Sequence, residues 1–264
     1  MPTILFRHVL TLVAIAVLAS CGSGEPRPPS DSDAVGVSES QFQSKLNALG
    51  IPLMLPRGRA LLVNVPSYEL VALEDGEPVF WSRVIVGKPE TRTPRIDTAT
   101  SSVIFWPSWR PTPEMVASGE VPDRIFPPGP RNPMGLLAIT LDTRLGIAMH
   151  DTNQRYLFER ERRAFSHGCI RVQKWDTLAA WLLDRDEDWV RTLSAGPTTQ
   201  RLSAPRVPVL IRHFTVFPTE DGAVGRYADV YGLGSTSAAY LTARKSAGPP
   251  NAEFQPDRAC RIPT

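Results

Sequence analysis

A thiol, two imidazoles and a glycine lie close together in one short stretch of the chain. Ser166-His167-Gly168-Cys169 follows His150 after fifteen intervening residues, in a sequence with only four histidines and three cysteines. A cysteine attacks as a thiolate, and its free pKa of about 8.5 leaves little thiolate at neutral pH without a nearby base or cation. The pattern predicts a cysteine nucleophile assisted by a histidine base.

The alternative for Cys169 is a structural role, because free cysteine is among the most buried residue types. Its polar, turn-forming neighbours favour catalysis, since a core cysteine usually lies in an apolar run. Gly168 can adopt a positive φ or let the backbone approach a substrate closely. We therefore expect Ser166 and Gly168 to shape a turn whose backbone N–H groups stabilise an oxyanion.

This stretch resembles the signature of the L,D-transpeptidase (YkuD-type) catalytic domain, in which a histidine and a spacer of this length precede Ser/Thr-His-Gly-Cys. The similarity covers residues 57–234. The sequence departs from the common family pattern at Arg171. Many members have asparagine at this position, whereas another branch of the family matches this chain. The flanking segments that match are Leu61-Leu62-Val63-Asn64-Val65-Pro66, Val84-Ile85-Val86-Gly87-Lys88 and Asp229-Val230-Tyr231-Gly232.

The resemblance implies acyl transfer between peptidoglycan stem peptides, without a cofactor or a metal. Cys169 would attack the peptide bond between an L- and a D-residue, expel the D-amino acid and form a thioester that a stem-peptide amine then accepts. His150 would be the general acid and base, its tautomer set by a nearby carbonyl. Two alternatives are a carboxypeptidase or cross-link hydrolase using the same thioester, and a cell-wall-binding lipoprotein with a degenerate site.

Two further side chains near the motif are candidates. His167 is two residues from Cys169, so their side chains diverge on an extended turn. We assign His167 a supporting or substrate-positioning role, with a purely structural role as the alternative. Arg171 is assigned to a stem-peptide carboxylate, which a guanidinium binds bidentately. Its alternative is a surface ion pair.

A proline-rich segment precedes the motif. Residues 106–133 contain eight prolines, two tryptophans and two glycines, a composition that excludes a regular sheet. We predict a substrate-facing flap over residues 107–133, with Trp106 and Trp109 as substrate contacts, since long ordered loops often cover sites and tryptophan supplies contact area. The resemblance implies a cap here in one branch of the family. The alternative is a passive surface loop.

Short apolar runs between turn signals predict a mainly β domain with short helices. The resemblance implies sandwich-like mixed sheets. The predicted strands cover residues 61–65, 69–73, 79–86, 102–105, 136–141 and 146–150, followed by a final hairpin of 208–217 and 226–231. The predicted helices cover residues 41–49, 175–183 and 189–193, with a short helical turn within 151–165.

The first residues predict export. Residues 1–20 contain an apolar run that is too short to span a bilayer and is typical of a secretory signal peptide. The Leu-Ala-Ser-Cys sequence at residues 18–21 resembles a lipoprotein box, which would make Cys21 a lipidated N-terminus. Gly22 favours the outer membrane, with the domain facing the periplasm. The alternative is an ordinary signal peptide with an incidental cysteine.

The remaining segments complete the predicted organisation: a flexible tether (21–40), a short helix and lead-in (41–56), the catalytic domain (57–234) and a disordered tail (235–264). In an exported protein disulfides can form. A disulfide between Cys260 and Cys169 would disable the site, so none is expected, and Cys260 has no assigned role. The net charge of +2 is too small to predict a nucleic-acid partner, and the oligomeric state is left open.

Overall fold

The structure is a computed structural model that describes residues 39–234. The predicted signal peptide, lipidation at Cys21, most of the tether, Cys260 and the tail lie outside the described residues. The elements in chain order are α1 (Gln41–Ala48), β1 (Arg59–Asn64), β2 (Glu69–Glu74), β3 (Glu77–Gly87), β4 (Asp97–Phe105), α2 (Pro113–Ala117), β5 (Leu137–Leu141), β6 (Ala148–His150), a 3-10 helix (Arg155–Glu159), β7 (Ala164–Ser166), β8 (Ile170–Val172), α3 (Trp175–Leu183), α4 (Glu187–Ser194), β9 (Gln200–Ser203), β10 (Pro208–Arg212), β11 (Val216–Pro218) and β12 (Val224–Arg226).

One mixed sheet organises the described part of the chain. Its strand order is β10-β1-β2-β3-β8-β6-β5-β4-β9, with β7 beside β3. β10, at one end of this order, also pairs with β4 near the other end, so the two ends of the sheet are hydrogen-bonded to each other. Parallel pairs (β1–β10, β3–β7 and β6–β8) are combined with antiparallel ones. The prediction of a mainly β fold with short helices and mixed sheets is confirmed.

The central strands are buried on both faces. On β1, Leu61 and Val63 belong to a large cluster that includes residues of α3 and α4. Leu62, which points to the opposite face, packs with Phe42 and Leu46 of α1. A strand covered on both sides needs apolar residues at every position, which explains the continuous apolar run of β1.

The first helix begins where its cap predicts. Ser40 Oγ accepts a hydrogen bond from the Gln43 amide at 3.0 Å and donates to the Gly76 carbonyl at 3.0 Å. The predicted helix is confirmed, but the predicted tether extends too far, because Ser40 belongs to the folded part. Across residues 39–234, no helix is long and apolar enough to cross a bilayer.

The predicted final hairpin is wrong. β10 lies within the main sheet between β1 and β4, while β11 and β12 form a separate two-stranded sheet. Val209, Leu210 and Ile211 are consecutive apolar residues, which suits a strand with neighbours on both sides better than a hairpin edge. The turn signal at Asp221-Gly222 does join two strands, but these are β11 and β12.

The proline-rich flap has its own small core. Trp109 and Phe126 form a bridge between the two ends of the flap, with backbone hydrogen bonds of 3.0 and 2.7 Å. Their rings lie 5.1 Å apart. Buried Asn132 donates from its amide to the carbonyls of Pro107 at 3.1 Å and Pro127 at 2.9 Å. The flap is therefore an ordered loop, in which a side-chain amide supplies donors that prolines lack.

Candidate active site

The predicted nucleophile lies in a tight turn between β7 and β8. Gly168 has φ 111°, a conformation that favours glycine. Ser166 Oγ accepts from the Gly168 amide at 3.1 Å and donates to the Cys169 carbonyl at 2.5 Å. These two hydrogen bonds of Ser166 close the turn. The Gly168 amide is used within the turn, so its expected role as an oxyanion donor is corrected to a conformational one.

Cys169 is buried and oxidised in this structure. Its Sγ accepts a hydrogen bond from the Ala148 amide at 3.3 Å, and its side chain packs with Ile147. Cys169 is disulfide-bonded. The chain's other cysteines are Cys21 and Cys260. The expectation that Cys169 remains a thiol is therefore wrong for this state, and a disulfide must be reduced before its sulfur can attack a carbonyl.

The sheet brings His150 next to the catalytic turn. β6 and β8 are parallel, and His150 is the register partner of Arg171. Cys169 lies two residues before Arg171, and the amide that contacts its sulfur, that of Ala148, lies two residues before His150. The pairing of β6 with β8 therefore places the end of β6 that carries Ala148 and His150 beside the turn that carries Cys169.

His150 is held as a neutral imidazole. Its Nδ1 lies 2.5 Å from the Asp151 carbonyl oxygen, which can only accept, so Nδ1 carries the proton. Burial lowers the pKa of His150 to about 3; the charge of Arg171 lowers it as well, and the carbonyls of Asp151 and Met134 partly oppose both. Nε2 is left with its lone pair, the form that can accept a proton from a thiol.

The Asp151 carboxylate has a different task from the Asp151 carbonyl. Its oxygens accept from the Leu136 amide at 3.0 Å and from the Arg155 guanidinium at 2.6 Å. A Cβ added to Gly135 would come within 2.3 Å of this carboxylate. The side chain therefore anchors residues 135–136, which follow the flap, to the end of β6. The orienting group at His150 is a backbone carbonyl.

Arg171 is a partly buried cation beside His150. Its Nη1 donates to the Gln154 side-chain oxygen at 2.8 Å, and its Nε has no hydrogen-bond partner among residues 39–234. Burial lowers the pKa of Arg171. Its side-chain hydrogen-bond partner is an amide and not a carboxylate, so the ion pair of the alternative interpretation is not observed among residues 39–234. The guanidinium can still receive an anionic ligand.

His167 contacts the flap. Its Nε2 lies 2.8 Å from one oxygen of Glu120, whose other oxygen lies 3.5 Å from Lys88 Nζ. Burial lowers the pKa of His167; Glu120 opposes this shift, and Lys88 adds to it. The sequence reasoning missed Glu120, since nothing in the spacing links it to a motif 47 positions away.

The two predicted tryptophan contacts differ in the structure. Trp109 is buried in the core of the flap, so its assignment as a substrate contact is corrected to a packing role. Trp106 is partly buried, has the left-handed φ of 51°, and its indole N–H has no hydrogen-bond partner among the described residues. Such a conformation is uncommon for a bulky residue and is often found at functional sites. Trp106 remains a candidate.

No metal centre is found in the part of the chain that the structure describes: no three His, Cys, Asp or Glu side chains are grouped to hold an ion. The functional groups at the candidate site are the Cys169 sulfur, the His150 and His167 imidazoles and the Arg171 guanidinium.

Comparison with known proteins identifies relatives. The family model for the L,D-transpeptidase catalytic domain (YkuD) matches residues 58–209. A Haemophilus influenzae protein, named as a candidate L,D-transpeptidase, is 28% identical over 240 residues, a match covering 74% of this chain and 49% of that protein. The chain therefore spans about half the length of this curated relative.

Solved structures give weaker similarity. An L,D-transpeptidase from Mycobacterium smegmatis is 16% identical with a TM-score of 0.38, the match covering 58% of each chain. The catalytic domain of the E. faecium L,D-transpeptidase is also 16% identical, with a TM-score of 0.37 over 60% of this chain and 99% of that one. These values carry no argument of their own, and the relationship rests on the sequence match.

Proposed function

The chain belongs to the L,D-transpeptidase (YkuD) family, and we propose that it transfers acyl groups between peptidoglycan stem peptides through a thioester on Cys169. The observation that carries this proposal is the pairing of β6 with β8, which puts a neutral, carbonyl-oriented His150 next to the turn that carries Cys169. A nucleophile, a base and a group that orients the base are the requirements for covalent acyl transfer.

The reaction begins with the reduced enzyme, so a dithiol reductant first supplies two electrons to the Cys169 disulfide. The thiol then gives its proton to Nε2 of His150, and the sulfur attacks the carbonyl carbon of the L,D-peptide bond. The imidazolium returns the proton to the nitrogen of the departing D-amino acid as the C–N bond breaks. The product is a thioester and a free amino acid.

In the second half of the reaction, the acyl group passes from the Cys169 sulfur to the acceptor. An amine of another stem peptide attacks the thioester carbonyl while His150 takes its proton. The C–S bond breaks, and His150 returns the proton to the Cys169 sulfur. Water in place of the amine would give the carboxypeptidase or cross-link hydrolase alternative. The steps up to the thioester are the same, so the two reactions differ only in the acceptor.

Arg171 is proposed to bind a carboxylate of the stem peptide. The buried Nε–H of Arg171 has no partner among the described residues, and such a donor is costly unless a ligand satisfies it. A carboxylate is its natural complement, since two N–H groups of the planar fork can donate to two oxygens. Trp106, which directly precedes the flap, is proposed to supply an apolar surface and an indole donor.

The location proposed for the enzyme follows from the sequence. An apolar signal followed by Cys21 supports a lipid-anchored, exported protein at the outer membrane facing the periplasm, where peptidoglycan is accessible. The membrane contact would be made by the N-terminal lipid alone.

The deciding experiment gives the reduced, full-length protein a disaccharide-tetrapeptide and separates the products. Cross-linked dimers support the transferase, whereas tripeptides without dimers support the hydrolase alternative. Cys169→Ala is the matched control and should give neither product. If the reduced wild type releases no D-amino acid under conditions that suit a known member, the proposed function is wrong.

A further inference from the structure

A closed set of hydrogen bonds lies beneath the catalytic turn. Thr93 Oγ1 donates to the Gly168 carbonyl at 2.9 Å and accepts from the Gly87 amide at 2.9 Å. The Tyr231 hydroxyl donates to the Gly87 carbonyl at 2.8 Å and accepts from the Thr93 amide at 3.0 Å. Thr93 and Tyr231 are both buried. The set joins three parts of the chain that are distant in sequence.

The direction of every bond in this set is determined. A backbone amide can only donate and a carbonyl can only accept. The single hydroxyl proton of Thr93 is therefore directed to Gly168, and that of Tyr231 to Gly87. Because neither hydroxyl can turn without leaving a buried group unsatisfied, the set holds the Gly168 carbonyl in one orientation.

The orientation of that carbonyl determines the orientation of the nucleophile's amide. The Gly168 carbonyl and the Cys169 N–H belong to one trans peptide unit, in which they point in opposite directions. With the carbonyl directed to Thr93, the Cys169 N–H is directed away from the 88–93 loop. A nucleophile's own backbone amide is a common oxyanion donor in covalent acyl transfer.

We propose that Thr93 is a positioning residue that orients the Cys169 amide toward the oxyanion of the tetrahedral intermediate. The inference rests on the proposed function and adds a residue that contacts neither substrate nor sulfur. Thr91 assists from the same loop: its Oγ1 donates to the Ser166 carbonyl at 3.0 Å, and the Lys88 amide donates to that oxygen at 2.9 Å. The loop thus holds the carbonyls on both sides of His167.

The Tyr231 ring is held in position by His213 and, through it, by Asp229. Its ring stacks on His213 with centroids 5.6 Å apart, and His213 Nε2 lies 2.7 Å from Asp229 Oδ1. This support keeps the hydroxyl under Thr93. A single change at Tyr231 therefore affects the orientation of Thr93 while leaving the Thr93 hydroxyl in place.

The test compares two reactions of the reduced, full-length protein, both read as mass added to the peptide containing Cys169. Acylation by imipenem forms an oxyanion when the lactam carbonyl is attacked. Alkylation by iodoacetamide displaces iodide from a saturated carbon and forms none. A residue that orients an oxyanion donor should affect only the first reaction, whereas general damage to the thiol or the fold should affect both.

Thr93→Val, which keeps the shape and removes the hydroxyl, should slow acylation by about tenfold to a hundredfold, less than the outright loss of an oxyanion donor. Its alkylation rate should stay within about twofold of wild type, because the thiol and His150 are untouched. Thr93→Ser keeps the hydroxyl and should restore acylation to within about threefold. Tyr231→Phe should slow acylation less than Thr93→Val and leave alkylation unchanged.

Equal slowing of both reactions in Thr93→Val, or no slowing of acylation, overturns the positioning role. If Thr93→Val does not fold, Tyr231→Phe decides by the same comparison of the two rates. A reduced wild type that imipenem does not acylate refutes the proposed function, and the positioning role with it. A wild type that is acylated no faster than Thr93→Val refutes the positioning role alone.

Discussion

The His167 imidazole lies 2.8 Å from the Glu120 carboxylate, and this contact joins the catalytic turn to the flap. Lys88, at the end of the loop beneath the turn, lies 3.5 Å from the same carboxylate. A single acidic residue of the flap therefore contacts two basic residues beside the nucleophile. The flap is held beside the turn of residues 166–169 by the contacts of Glu120 with His167 and Lys88. The hydrophobic contacts of its own core hold it as well.

Replacing Glu120 by alanine should weaken this closure. The partners are partly exposed, so we expect KM for a stem-peptide substrate to rise by about twofold to fivefold, the equivalent of one surface ion pair, with kcat less affected. Hydrogen exchange of flap amides should become faster. Asp123→Ala is the matched control, because Asp123 pairs with Arg110 inside the flap. Equal effects of the two changes would contradict a special role for Glu120.

The nucleophile should depend on reduction. Without a reductant the disulfide at Cys169 leaves no thiolate, so D-amino acid release should be absent, and a dithiol should restore it. Cys169→Ala should stay inactive in both conditions while remaining folded. In the presence of the dithiol, Cys260→Ala should match the wild type. Full activity of the oxidised protein, with Cys169 shown by mass to be disulfide-bonded, would contradict this assignment.

The two histidines should differ in their effect on acylation. His150→Ala removes the proposed base and should lower the acylation rate by about 10²- to 10⁴-fold. His167→Ala removes the contact with Glu120 and should cost less. Stopped-flow or quenched-flow acylation of the reduced variants gives both rates. A larger loss in a folded His167→Ala would reverse the two assignments.

His150 should titrate far below its ordinary pKa of about 6.5. Burial lowers the pKa to about 3, so the imidazole stays neutral through the physiological range. The unfolded chain binds this proton at a higher pH, so His150 makes the free energy of unfolding fall as the pH drops from about 6.5 toward 3. NMR titration of the His150 ring in Cys169→Ala measures the pKa without a thiolate nearby. A midpoint near 6.5 would contradict the buried, neutral state.

The predicted lipid anchor can be tested in cells that express the full chain. A fatty-acid analogue should label the wild type, and Cys21→Ser should lose the label. Cys260→Ser is the control that changes a cysteine without touching the lipoprotein box. An unlabelled wild type would remove the lipid anchor from the proposal and leave the enzymatic part unchanged.

The proposed chemistry was predicted from local sequence alone. A histidine, a spacer and Ser-His-Gly-Cys form a compound pattern whose residue types are those of covalent acyl transfer, and the family match over residues 58–209 agrees with it. Apolar runs also predicted the long strands and the helices at Gln41–Ala48 and Trp175–Leu183, because burial of a whole face leaves a periodic signal. Short strands such as β7, β8 and the polar β9 leave too few apolar residues for such a signal.

Only the tertiary structure decided which groups surround the nucleophile. Thr93 lies 75 positions from Gly168 and Glu120 lies 47 from His167, so no local pattern relates either pair. Trp109 and Trp106 look equivalent in sequence, yet one packs inside the flap and the other keeps an unsatisfied donor. The hydrogen bond between Arg171 and Gln154 likewise joins residues 17 positions apart, because packing brings together residues whose spacing carries no information about contact.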